Sequence, residues 1–249
     1  MIVNQVQEGW EIIHQPAHGI LAAQIALQFP VADFPDQYRM DTIGAIMDHD
    51  DYQSEYESHT YVTEVGAPRD FTLLEMNANE RYEQVQRVLS AAYEKSCWTG
   101  LLISFHFNFL YQGEPVKKRL TQLLEYERER RPKILKDLDL NFDTLETTYQ
   151  IMRFCDRCSL ILSRDEIPAM ERRLEIITRP DDQRFEIWQD AATKHVHVSP
   201  WCFDDSEFTV AVDVRTLRQL HFKNDQALQE ALKTAPVERK SWIFAQPED

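Results

Sequence analysis

Apolar residues recur at helical spacing through most of the first 165 positions, and after Pro168 they alternate in short runs. "MIVNQV" and "WEIIH" read as two short strands before the first helix. Pro16 suits a first helical turn, and "AHGILAAQIALQF" continues it with Leu21, Ile25 and Phe29 on one stripe. A second helix covers about 39–50, its core face set by Ile43, Ile46 and Met47. Residues 51–76 are polar and irregular, a long loop of the kind that often carries function. Asn77 is a good N-cap for a helix to Lys95. "WTGLLISFHFNFLY" is a short apolar helix, "KKRLTQLLEYERERR" an amphipathic one whose charges form a solvated face, and "FDTLETTYQIMRFCDRCSLILS" a long buried one. "RRLEIITR", "RFEIWQ", "KHVHVS" and "EFTVAVDVR" then read as strands, followed by the helix "DQALQEALKTA" and the strand "SWIFAQ". The expected class is α+β: a mainly helical domain over 1–165 and a small antiparallel β-rich subdomain over 166–249. The junction "SRDEIPAMERR" lacks the Gly/Ser run of a flexible tether, so the subdomain should pack on the helices.

Composition narrows the function classes. Six glycines in 249 residues leave no Walker-type run and no dinucleotide fingerprint. A net charge of −15 disfavours nucleic acid and anionic membrane surfaces as partners. It is compatible with cation binding, although an acidic solvated surface explains it more simply. With no signal peptide and no long apolar span, a cytoplasmic protein is expected, its four cysteines reduced. Cys155 and Cys158 form a C-x-x-C, but inside a helix and without the turn or second pair of a zinc knuckle.

The informative residues are polar ones inside apolar helices: His18, the pair His49 and Asp50, His106 within "LLISFHFNFL", and Asp156 within "IMRFCDRCSLIL". Each has an ordinary reading alone. A helix histidine is usually a satisfied core residue, and Asp156 could pair with Arg153 or Arg157. Together, four helices each deliver a His or Asp from an apolar context. That nitrogen and oxygen set suits one or two divalent ions, Mn, Mg, Fe or Zn, rather than a thiolate site. Asp48 and Asp51 flank the pair and should look toward solvent or make supporting contacts just outside the ligands. His195 and His197 fit an exposed strand, and Ser104 with His106 makes no dyad.

The order His, His-Asp, Asp resembles the HD-domain superfamily of helical metal-dependent phosphohydrolases over about two thirds of the chain, and "FCDRCSL" looks like its final motif. The whole chain also resembles an uncharacterised bacterial family, domain of unknown function 3891, through "QPAH", "HDD", "GAPRDF", "SFHFNFLY" and "SPWCF". Tyr52 and Gln53 stand where Gly-Trp usually follows that family's HDD. The HD resemblance implies His18, His49, Asp50 and Asp156 as metal ligands, with His106 a fifth ligand or a group that meets the substrate. It implies catalytic roles for Asp50 and His106 in attack of water on a phosphorylated small molecule or nucleotide. Asp51, Tyr52, Asp70, Phe71 and Tyr111 are candidates to line the cleft, and Lys117 and Lys118 are weak candidates to hold phosphate. Two other readings stay open: an HD-fold di-iron oxygenase using His106, and a binding or structural protein with a vestigial metal site.

Overall fold

The computed structural model describes residues 1–50, 60–74, 76–112, 118–170 and 172–248. Its element order is β1 (Ile2–Val6), β2 (Gly9–Ile13), α1 (Gln15–Ala26), α2 (Arg39–Asp48), α3 (Ala78–Lys95), α4 (Cys97–Leu110), α5 (Lys118–Asp137), α6 (Phe142–Ser163), β3 (Leu174–Thr178), β4 (Arg184–Gln189), β5 (Val196–Ser199), β6 (Glu207–Leu217), α7 (Asp225–Thr234) and β7 (Val237–Ala245). The fold is α+β.

Local chemistry sets the helix starts. Pro16 lies in the first turn of α1 behind an extended His14. Asn77 and Glu80 close a reciprocal capping box on α3, and Ser96 and Asn141 cap α4 and α6. The burial of α2 differs from the expected stripe. Thr42, Ile43, Ala45 and Ile46 are buried with His49, whereas Met47 is exposed. At ~100° per residue, Met47 lies about 130° from the centre of that buried arc, so it cannot share the core face. On α5 the charge run is not wholly solvated, since Glu127 and Arg131 are buried in line with Leu124 and Leu135.

The strands form one seven-stranded sheet in the order β1-β2-β6-β7-β5-β4-β3. It is mixed rather than antiparallel, because β5 runs parallel to β7 at Val196 and Phe244. A boundary near 165 does not separate sheet from helices: the hairpin of the first 13 residues extends the same sheet by pairing β2 with β6. Gly9 permits that pairing. A Cβ there would stand 1.9 Å from the Leu217 carbonyl oxygen, and its φ of +149° suits glycine. Where β2 no longer covers β6, the Gln24 side chain of α1 bonds both backbone groups of Ala211, at 2.8 and 3.0 Å. The inner face of β6, Phe208, Val210, Val212 and Val214, packs into the helical core. Phe154 of α6 meets Phe29 and Phe185 edge to face. A second core joins Met1 and Ile12 to Tyr61, Phe222 and Leu228.

Candidate metal centre

α1, α2 and α6 meet at one point beneath the sheet. Gly19 allows the approach of α1 to α2: a Cβ at this position would lie 2.1 Å from the Met47 carbonyl oxygen. The residues beside this contact are His18 and, just past the end of α2, His49.

Both histidines are buried, and each turns Nδ1 back onto its own helix. His18 Nδ1 is 2.5 Å from the Gln15 carbonyl oxygen, and His49 Nδ1 is 2.7 Å from that of Ile46. A carbonyl only accepts, so the proton of each ring belongs on Nδ1 and the Nε2 lone pair points away from the helix. Those lone pairs face carboxylates. His49 Nε2 lies 3.1 Å from Asp156 Oδ1 and 3.6 Å from Asp50 Oδ2. His18 Nε2 lies 3.8 and 3.4 Å from the same two oxygens. His18 Nε2, His49 Nε2 and Asp156 Oδ1 are buried without a hydrogen-bond partner. One ligand atom from each of His18, His49 and Asp156 fits within 4.8 Å of the others. Asp50 Oδ2 borders this set and accepts from Gln15 Nε2 at 3.2 Å.

Acceptors converging on acceptors need a positive charge between them. Without a metal ion, a second proton on imidazole supplies it. Burial alone would push the His49 pKa down, yet the Asp156 and Asp50 carboxylates outweigh it and lift it to about 10. Burial raises the pKa of Asp156, but His49 and His18 override that and hold its carboxyl well below the usual range. A divalent cation would satisfy the same three orphaned atoms at once, so the donor set fits one.

His106 of α4 stands edge-on to His49, with ring centroids 5.5 Å apart. Its Nδ1 is 3.2 Å from the Tyr149 hydroxyl, and it is not one of the three converging ligands. Burial, then the positive charge of His49, lowers its pKa to about 4, so this ring is neutral at ordinary pH.

These residues fall inside a recognisable family. Residues 1–219 match the family described as Protein of unknown function (DUF3891). The chain belongs to that family. No curated protein and no solved structure matches it. The span shared with the family carries every residue of the cluster and stops short of α7 and β7.

The remaining candidates are placed elsewhere or engaged. Asp70 accepts from Val3 N and Thr72 N, both at 3.0 Å, and pairs with Arg164, which lies over the Phe71 ring. Both residues thus tie the 60–74 segment to β1 and α6. Tyr111 lines a cleft between α4, α5 and α6. Lys118 is exposed, and Asp48 pairs with Lys95. Asp51, Tyr52, Gln53 and Lys117 lie outside the described residues. His197 sends Nδ1 to the Ala245 carbonyl oxygen at 2.6 Å and packs on Trp188. Gln15 and Tyr149 join the site without having been expected from the sequence. Their signal was position: Gln15 sits three residues before His18, and Tyr149 two turns before Asp156 on one face of α6. Among the described residues no helix is long and apolar enough to cross a membrane.

Proposed function

We propose that this chain is an HD-type, metal-dependent hydrolase of a phosphorylated small molecule or nucleotide. The observation that carries the reading is the trio of buried, unpartnered atoms on His18, His49 and Asp156, with both imidazole protons directed away from it. His18 and His49 would hold the ion through Nε2 and Asp156 through Oδ1, with Asp50 Oδ2 beside them. The order of these residues along the chain, His, His-Asp and Asp, resembles that of the HD superfamily. A divalent cation bound there supplies Lewis-acid activation of water and neutralises charge developing at phosphorus.

The chain's own groups divide the remaining work. The two backbone carbonyls fix the rotation of His18 and His49, the role that outer partners play around ligating histidines. Gln15 orients Asp50. Burial keeps the Tyr149 hydroxyl protonated by raising its pKa. By donating to His106 Nδ1, that hydroxyl would leave the His106 proton on Nε2, as a hydrogen-bond donor for a substrate oxygen. The four cysteines are unpaired thiols, which suits the reducing cytoplasm.

The position of His106 beside His49 favours one second reading, a di-iron oxygenase that adds His106 to the ligands. Element-resolved metal analysis of protein purified without chelator, followed by a phosphoester panel with Mn, Mg or Zn, separates the two. Metal-stimulated phosphate release that EDTA abolishes is the expected result. Two irons per chain with silence across the panel would overturn it in favour of the oxygenase. A chain that takes up no metal would leave a binding protein with a vestigial site.

A further inference from the structure

A cleft of about 940 Å³ opens between α4, α5 and α6. That is within the range of small-molecule pockets. We propose that it binds a small aromatic anion, whose charge is held by Arg131 and Arg153 and whose ring lies among Phe105, Phe109 and Tyr149.

The charge pattern comes first. In a chain of net charge −15, three arginines, Arg128, Arg131 and Arg153, line this one cleft. Among the described residues none of them is in an ion pair, although Glu125 and Glu146 also reach the lining. Arg131 is the decisive one. It is only 5% exposed, and its bonds go to a neutral residue: Nε and Nη2 to Ser104 Oγ at 3.1 and 3.0 Å, and Nη2 to the Ser104 carbonyl oxygen at 2.8 Å. The nearby acid is already engaged, since Glu127 accepts from the Tyr93 hydroxyl at 2.9 Å and pairs with Arg130 at 3.3 Å. Glu127 acts on Arg131 only from beyond ion-pair distance, and a buried cation without a carboxylate in contact is costly unless an anion meets it. Burial accordingly lowers the Arg131 pKa from its ordinary value.

The rest of the lining describes the ligand's body. The Arg131 guanidinium rests 5.1 Å from the centre of the Phe105 ring, and that of Arg153 4.2 Å from the centre of Phe109. Each cation is thus held against an aromatic wall; Ser104 takes the Nε–Nη2 edge of Arg131 and Gln150 one Nη of Arg153, which leaves Arg131 Nη1 and Arg153 Nη2 to meet a carboxylate or phosphate. Tyr149, edge-on to both Phe105 and Phe109, completes an aromatic frame for a ring. The cleft is far larger than an inorganic anion requires, so an organic body is expected.

The proposal does not depend on a metal. Calorimetric titration of EDTA-treated protein, which also prevents turnover, tests it with adenosine monophosphate and 4-hydroxybenzoate as aromatic anions. Adenosine and inorganic phosphate serve as the ring and the charge alone. One site per chain is expected for at least one aromatic anion, with both controls at least tenfold weaker. Which of the two anions binds more tightly distinguishes phosphate from carboxylate as the preferred group. Arg153→Gln and Arg131→Gln should each weaken binding at least tenfold. If Arg131→Gln fails to fold, Arg153→Gln, whose side chain bonds only Gln150 on its own helix, decides the matter. His49→Ala, which removes a proposed metal ligand, should bind the anion unchanged. Equal affinity for adenosine and the monophosphate, no saturable binding at millimolar concentration, or full affinity in Arg153→Gln would overturn the proposal.

Discussion

On the α3–α5 side of the protein, buried Glu127 meets the Tyr93 hydroxyl and the Arg130 guanidinium. At the junction of α1, α2 and α6, buried His18 and His49 meet the carboxylates of Asp50 and Asp156. Both clusters place ionisable groups away from water, but they are completed differently. In the first, donors face an acceptor: Arg130 Nε has no hydrogen-bond partner, but it lies 3.3 Å from the Glu127 carboxylate, so opposite charges already meet. In the second, the donors are turned outward to backbone carbonyls and the acceptors face one another. Other buried polar atoms without partners, such as Gln84 Oε1 and Ser163 Oγ, sit on separate elements. Burial of charge therefore does not mark a functional site by itself. Convergence of unsatisfied acceptors is what the proposed cation site rests on, because each is destabilising alone and one cation would relieve all of them.

The strongest way to break this comparison is to neutralise one acid in each cluster. Asp156→Asn should abolish metal uptake while the protein stays folded. Glu127→Gln should leave metal content intact but lower stability by about 2 kcal/mol, by weakening a buried charged contact. Metal content and thermal unfolding on both variants decide it. Metal loss in Glu127→Gln, or a loaded Asp156→Asn, would erase the distinction.

The second test uses protons. With no metal bound, His49 is charged up to a pKa of about 10. Loading an ion must displace that proton, so affinity should rise about tenfold per pH unit below 10. Calorimetry at pH 8 in buffers of different ionisation enthalpy should show about one proton released per ion. The same raised pKa stabilises the metal-free fold. Its contribution is fully present below the ordinary value of 6.5 and is lost as pH climbs through 10. Proton-neutral loading would mean that the ring is already unprotonated at Nε2.

The third test is the smallest and concerns how the cluster is held. Gly19→Ala puts a Cβ against the Met47 carbonyl and should cost about 1–3 kcal/mol, with weaker metal binding. Gly44, on α2, has nothing within 4 Å of the position its Cβ would take. Gly44→Ala should stabilise the protein by about 0.5–1 kcal/mol, as alanine does inside a helix. Equal unfolding temperatures for the two variants would show that the close approach of α1 to α2 does not govern the site.

The residues of the cluster were legible before the fold because each is a polar interruption in an apolar helix. Met47 was misplaced because its neighbours' burial arc is set by α1 and α4. The arginine cleft was hidden for a related reason. Leu124, Glu127, Arg131 and Leu135 follow helical spacing, but five consecutive charges over 127–131 read as a wet surface. Only the packing of α4 over that face, with Ser104 and Phe105 against the guanidinium, buries Arg131.

Local sequence settled what local physics controls. Pro16, Asn77, Ser96 and Asn141 start their helices through bonds made within a few residues, and alternation along "EFTVAVDVR" sets which side of β6 is apolar. Partnership across the chain was decided elsewhere. That β2 would find β6 some 200 residues later, that β5 would run parallel to β7, and that three acceptors would meet without a donor depend on contacts no short segment encodes. Caps and periodicity are properties of neighbouring residues, whereas strand order and the chemistry of a shared cavity arise when distant segments compete for the same buried space.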